Sequence, residues 1–233
     1  MNLALFSTDG ILFLLRWLHI FFGIVWIGHL YYFNFVQGAF FAETDAATKS
    51  NAIQKLVPRA LWWFRWGAMF TLITGLIILM GMGHQNPSTF VTARGILILT
   101  GGVLGILMWY NVWFVIWPAQ KVVIQSALDV ASGKPANPEA AGRGARATVA
   151  SRTNVLFSIP MIFFMASSTH LPLYVNPDAS LGALVAVLAI LIGALEFNAL
   201  KGKTGPMTTV KGVIHCGFGL TVVLYLVMEF LTK

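Results

Sequence analysis

The chain contains little cysteine, and this shortage excludes two kinds of structure. Of its 233 residues, only Cys216 is a cysteine. Neither a disulfide framework nor a CxxCH site for the covalent attachment of haem can therefore form within the chain. Any haem that the protein binds must be held without a covalent bond.

Charged residues are also scarce, and apolar residues are correspondingly abundant. Charged side chains make up 10% of the chain and apolar ones 58%, whereas soluble globular domains carry about 25% charged residues. The composition therefore predicts an integral membrane protein. A net charge of +7 would suggest nucleic acid in a soluble protein. Here the basic residues lie in loops beside apolar segments, so we expect contact with membrane lipid and no nucleic-acid partner.

Apolar segments of about 20 residues, the length of a transmembrane helix, predict an all-α, polytopic helical bundle with six spans. The expected spans are 11–35, 61–83, 92–117, 153–170, 181–200 and 208–231. Twelve of the fifteen basic residues lie in or beside the loops after the first, third and fifth spans. The positive-inside rule then places these loops in the cytoplasm and both chain termini outside.

One connection between the spans is long. Residues 122–150 include the stretch ASGKPANPEAAGRGARA, which is small, polar and interrupted by proline. We therefore expect a mobile cytoplasmic loop and not a second domain. Residues 1–233 would then form a single integral-membrane domain.

Histidines inside the spans are candidates for function, because burying an ionisable side chain in hydrocarbon costs free energy. His19 and His29 lie ten positions apart in the first span, which separates them by roughly 15 Å along a helix. His215 lies near the inner end of the sixth span, whereas His84 and His170 lie at the outer ends of the second and fourth. These depths predict an inner pair, His29 with His215, and an outer group, His19 with His170 or His84.

The neighbours of two histidines favour a flat macrocyclic ligand. Gly212 and Gly219 share the helix face of His215 and leave a groove without side chains beside it. Arg16 shares the face of His19 and is well placed to pair with a haem propionate. The alternative is that such glycines serve helix packing.

Haem b with two histidine ligands requires imidazoles from two helices at one level. We therefore predict one or two haem b groups, the inner iron bound by His29 and His215 and the outer iron by His19 with His170 or another outer histidine. Zinc or copper is a weaker alternative, because the chain has no second cysteine and no HxxxH or HxH spacing.

Polar side chains gather near the inner ends of the spans. Arg65, Asn111, Arg152 and Asn154 could line a cytoplasm-facing cavity for a small polar anion. Alternatively, the asparagines bridge helices and Glu196 pairs with a nearby lysine. The sequence contains no P-loop, dinucleotide fingerprint or Ser/His/Asp set, so we assign no catalytic residue.

Four segments resemble a known family. They are RWLHIFFGIVWIGHLYYFNFVQ, LWWFRWGAMFTLITG, WYNVWFVIWPAQK and SRTNVLFSIPMIFFMASSTH. They look like the N-terminal membrane domain of the bacterial membrane-bound urate oxidase (urate hydroxylase) family, over residues 16–170. The most specific part is NVWFVIWPAQK followed by SRTN.

The resemblance implies an oxidoreductase of purine catabolism in the bacterial inner membrane. Members of the family oxidise urate to 5-hydroxyisourate and typically pass the electrons to a C-terminal cytochrome c domain. This sequence stops before such a domain. We therefore expect its electrons to leave through a separate cytochrome c or a quinone.

Two other functions remain open. A non-enzymatic electron-transfer or assembly subunit of a respiratory complex would bind haem but have no substrate site. A small-molecule transporter would bind its substrate at the inner polar residues and would need helix interruptions near the middle of the membrane. Pro160 is the only proline well inside a span. The expected assembly is a homo-oligomer or a respiratory complex.

Overall fold

The computed structural model describes residues 3–171 and 173–233, which form seven α-helices and no strands. The helices are α1 (Thr8–Glu43), α2 (Ala46–Lys55), α3 (Val57–Gln85), α4 (Ala93–Ala131), α5 (Ala140–His170), α6 (Leu181–Lys201) and α7 (Val210–Leu231). All except α2 are long and apolar enough to cross a membrane. The all-α class and the six predicted spans are therefore confirmed.

Most of these helices begin at a polar side chain that accepts a hydrogen bond from a backbone N–H group of the first turn. The first backbone N–H groups of a helix have no carbonyl to bind within it. Side chains that accept a hydrogen bond from this first turn stand at Ser7, Asp45, Thr92, Ser180 and Thr209. These five residues mark the starts of α1, α2, α4, α6 and α7.

The prediction of a loop over residues 122–150 was wrong in its secondary structure. α4 continues to Ala131 and α5 already begins at Ala140. Gly133 adopts a φ of 81° just after α4, a conformation that commonly ends helices. The polar sequence that begins α5 is rich in alanine, the residue with the highest helix propensity. Low apolarity was therefore a poor guide to helix content here.

The spans extend beyond their predicted bounds mainly at one end of the bundle. This end, called the basic end below, holds the connections between α1 and α3, α4 and α5, and α6 and α7. The search for apolar segments of about 20 residues found only the part of each helix that matches a hydrocarbon layer. The helices themselves continue into polar sequence. α1, for example, runs eight residues past the predicted end at Phe35.

α5 lies at the centre of the bundle. It packs against α1, α4, α6 and α7, while α1 packs mainly on α3. Phe157 and Phe164 of α5 are fully buried, as are Leu104 of α4 and Leu224 of α7. In the part of the chain that the structure describes, α1 and α7 are not a packed pair.

Two spans contain a π-helical segment. The first π segment is Tyr32–Gln37 in α1 and the second is Asn111–Ile116 in α4. A π turn holds one residue more than an α turn, and such turns occur frequently at functional sites. Neither span is broken, because α-helix continues on both sides of each π segment.

Candidate functional site

The two π segments lie at one level of the bundle, beside the same stretch of α5. Asn34 of the first π segment donates a hydrogen bond from Nδ2 to Ser151 Oγ of α5 at 2.7 Å. Asn111 of the second donates from Nδ2 to Asn154 Oδ1 of α5 at 3.0 Å. Ser151 and Asn154 are less than one helical turn apart. The sequence motifs NVWFV and SRTN therefore meet in the structure.

Asn111 and Asn154 belong to a buried network that joins three helices. Both side chains are 0% exposed, and Glu196 of α6 is 7% exposed. Asn111 Nδ2 also donates to Glu196 Oε2 at 3.0 Å, and Asn154 Nδ2 donates to the carbonyl oxygen of Met108 at 2.9 Å. The alternative that asparagines bridge helices is thus realised, and Glu196 forms no ion pair with a described lysine.

Arg65 of α3 and Arg152 of α5 have no acidic partner among the described residues. Neither forms an ion pair or donates a hydrogen bond to another residue within 3–171 and 173–233. The buried atoms that lack a partner include Arg65 Nε and Arg152 Nη1. Both side chains are half-buried. Two cations at membrane depth therefore have no counter-charge from the described chain.

The guanidinium of Arg65 is instead stacked among indoles. Its Cζ lies 4.0 Å from the ring centroid of Trp117 and 5.1 Å from that of Trp113. Such cation–π contacts attract the guanidinium to the ring faces. The buried Nε1 of Trp113 has no partner either. Neither tryptophan was predicted from the sequence, because a contact between two helices has no signal in either helix alone.

His29 lines a groove of about 570 Å³ between α1 and α3. Its Nδ1 donates to the carbonyl oxygen of Val25 at 2.7 Å. A carbonyl only accepts, so in the neutral ring Nε2 keeps its lone pair for a ligand. The same groove contains Arg59 and Trp63, and a Cβ added at Gly28 would meet nothing within 4 Å. Sequence analysis did not single out these three residues.

His19 has a more confined position between α1 and α3. Its Nδ1 lies 2.9 Å from the carbonyl oxygen of Thr71 and 3.1 Å from Thr74 Oγ1. A Cβ at Gly75 would approach His19 Cε1 to 3.0 Å, so the ring packs tightly on α3. These contacts show that His19 links α1 to α3. Arg16, its predicted partner for a propionate, is exposed.

The structure does not bring His29 and His215 together. His215 is exposed on α7, and its Nδ1 donates to the carbonyl oxygen of Lys211 at 2.7 Å on its own helix. His84 and His170 are exposed at the ends of α3 and α5. The predicted pairs of ligands on one iron therefore remain predictions without support from described contacts.

Gly212 and Gly219 have different surroundings. A Cβ at Gly212 would collide with the carbonyl oxygen of Pro206, and its N–H donates to Thr209 Oγ1 at 3.0 Å. The start of α7 therefore requires a residue without a side chain here, whatever else the glycine does. Gly219 is exposed, with no atom within 4 Å of an added Cβ.

Comparison with known proteins places the two asparagines of the network inside a family match. Residues 86–228 match the protein family described as urate oxidase N-terminal. This range is more than half of the chain and extends past His170, where the resemblance seen in the sequence ended, but it leaves out α1, α2 and the whole of α3. No curated protein and no solved structure matches the chain.

Proposed function

Because the chain belongs to the urate oxidase N-terminal family, we propose that this multi-pass membrane protein binds haem b and oxidises urate or a related small anion. One observation carries the substrate class. Arg65 and Arg152 have buried donors without a partner at the level of the two π segments, and no described acidic residue neutralises them.

An anion accounts for this arrangement in physical terms. Burying a charge is costly unless it is paired, and arginine offers a planar fork of donors suited to two acceptor oxygens. Urate is planar and anionic at neutral pH. Its acceptor atoms suit the free N–H groups of the two arginines, and its ring suits the aromatic surroundings of Trp113 and Trp117. Asn34 and Gln37 of the first π segment add polar groups at the same level.

The residues that line the groove between α1 and α3 support the proposal that one haem b binds there. His29 supplies an Nε2 whose orientation the bond from Nδ1 to Val25 fixes, which is the usual environment of a metal-binding histidine. Arg59 supplies a cation for a propionate, and the groove is within the size range of about 300–1,000 Å³ typical of ligand pockets. The residues that line it include no second histidine. A haem b bound there would supply one-electron acceptance.

The remaining groups of the chain would bind and orient the substrate. The arginines hold its charge, and the buried amides of Asn111 and Asn154 keep α4, α5 and α6 in register around them. We further propose that the basic end faces the cytoplasm of a bacterial inner membrane, as its lysines and arginines indicate. Electrons would leave through a separate cytochrome c or a quinone.

A spectroscopic experiment tests this proposal. The full chain is purified in detergent, and its dithionite-reduced minus oxidised spectrum is recorded. We expect a haem b band, and we expect urate to produce the same band anaerobically while urate is consumed. A well-folded preparation without the band would contradict haem binding. A haem band that urate does not produce would favour the electron-transfer or assembly subunit instead.

The π segments favour a second candidate, a carrier of a small anion that uses the same arginines. They give α1 and α4 a local irregularity at the level of Arg152, and transporters bind substrate beside irregular stretches of their helices. In sealed vesicles, urate uptake without a change in redox state would support the carrier. Urate consumption with haem reduction would support the oxidase.

A further inference from the structure

We propose that Glu196 and Asn111 form a proton-binding site in the core of the bundle, where Glu196 is held as a neutral carboxylic acid. The site lies between α4, α5 and α6. The proposal does not depend on the oxidation of urate, because it follows from the burial of one carboxyl group and from the hydrogen bonds around it.

The hydrogen bonds leave two acceptor atoms without a donor. Asn111 Nδ2 donates to both Asn154 Oδ1 and Glu196 Oε2 at 3.0 Å, which uses both of its hydrogens. Glu196 Oε1 and Asn111 Oδ1 are buried and have no partner. These two atoms belong to the same pair of hydrogen-bonded side chains. The network therefore lacks a donor.

No described cation compensates a charge on Glu196. The charged or titratable groups of the elements packed around it are Arg143, Arg146, Arg152 and His170 of α5, Lys211, His215, Cys216, Tyr225 and Glu229 of α7, Arg94, Tyr110, Lys121 and Asp129 of α4, and Lys201 of α6 itself. Within the described ranges, none of the basic groups among them comes within 4.0 Å of its carboxylate. Arg146 donates instead to the carbonyl oxygens of Ala199 and Gly202 at 3.2 Å.

A proton on Glu196 would both supply the donor that the network lacks and remove the uncompensated charge. An ionised carboxylate in a low-dielectric interior is costly, and such groups usually become neutral. Protonation forms an O–H bond at Glu196, takes one proton from water and changes the charge of the side chain from −1 to 0. The new O–H group supplies the donor that the network lacks, and Asn111 Oδ1 is an acceptor in need of one.

A metal ion satisfies the site less well. Hard cations need several oxygen ligands, typically about six to eight for calcium. Here only Glu196 Oε1 and Asn111 Oδ1 are free, because Asn154 Oδ1 already accepts from Asn111. The proton is therefore the better occupant. A neutral Glu196 can release its proton when positive charge appears nearby and recover it when that charge leaves.

Infrared spectroscopy of the full chain in lipid nanodiscs tests the proposal. We expect the carbonyl stretch of a protonated carboxylic acid, above the amide I band, at neutral pH, with a downshift in D2O. Glu196→Gln should remove this band. The matched control Glu229→Gln should leave it unchanged, because Glu229 forms an ion pair with Lys233 at 2.8 Å.

Three results would overturn the proposal. They are a wild-type spectrum without the band, a band that persists in Glu196→Gln, and a band that sodium but not potassium removes, which would identify a metal ion as the occupant. Glu196→Gln should fold, since its amide can donate to Asn111 Oδ1. If it does not, the wild-type band still decides, because Glu196 is the one buried carboxyl group among the described residues.

Discussion

The proposed substrate site rests on buried side-chain atoms that lack hydrogen-bond partners. Arg65 Nε, Arg152 Nη1 and Trp113 Nε1 are buried donors without a described acceptor. Buried polar groups are nearly always hydrogen-bonded in folded proteins. These three donors are the basis of our proposal that an anion which accepts hydrogen bonds binds at this level.

The surroundings of the histidines also distinguish which of them is expected to bind haem. We expect His29→Ala to lose most of the haem b, because His29 is the histidine that lines the groove between α1 and α3. His215→Ala should retain haem, since His215 is exposed on α7, which does not pack on α1 in the described structure. Haem content per protein, measured after purification by the pyridine haemochrome assay, checks both.

Retention of haem by His29→Ala would refute the groove as the haem site. Loss of haem in both variants would restore the pair predicted from the sequence, in which His29 and His215 bind one iron. His84→Ala is the control, because His84 is exposed at the end of α3 and should have no effect.

At the scale of the element, close approach of α1 and α3 depends on Gly67. A Cβ there would lie 3.0 Å from the backbone nitrogen of Trp26 and 3.1 Å from Val25 Cγ1. We expect Gly67→Ala to destabilise the protein by about 1–3 kcal/mol, the usual cost of overpacking. Thermal unfolding in detergent measures the change.

The control for Gly67 is Gly193 in α6. A Cβ at Gly193 would meet no atom within 4 Å, so Gly193→Ala should be neutral or stabilise the helix by about 0.5–1 kcal/mol. Equal effects of the two substitutions would show that the contact between α1 and α3 is not as close as described.

The helical ends of α4 and α5 give a second prediction for elements. Backbone amides of 122–131 and 142–150 should exchange with D2O more slowly than those of 132–139, because intrahelical hydrogen bonds protect them. Hydrogen–deuterium exchange with mass spectrometry measures all three stretches. Uniformly fast exchange across 122–150 would mean that the loop expected from the sequence is correct after all.

The sequence was sufficient to predict the six spans but not to predict which helices pack against each other. Hydropathy reports a property of one helix, so all six spans were predicted. The depth of each residue in the membrane also follows from the order of the spans. Depth does not show which helices face each other, and the pairing of His29 with His215 rested on depth alone. The π segments add one residue per turn without a compositional signature. The Glu196–Asn111 and Arg65–Trp117 contacts join residues that are far apart in sequence.

At the scale of the whole molecule, the distribution of basic residues predicts orientation. We expect the connection between α4 and α5 in the cytoplasm and that between α5 and α6 outside. Single cysteines at Ser132 and Asp178, each in a Cys216→Ser background, can be probed with a membrane-impermeant maleimide in intact cells. Labelling of Asp178→Cys alone agrees with this orientation, whereas labelling of Ser132→Cys alone reverses it.

We propose that Arg65 and Arg152 together bind a small anion, and the affinity of the protein for urate is the quantity that tests this proposal. Equilibrium binding of labelled urate to the full chain in nanodiscs should weaken by about 10-fold or more in Arg65→Gln and in Arg152→Gln, since a charge-assisted hydrogen bond contributes about 1.5–3 kcal/mol. Arg143→Gln, whose guanidinium is exposed and pairs with Glu139 at 3.1 Å, should bind urate like the wild type. Unchanged affinity in both of the first two variants would contradict the account.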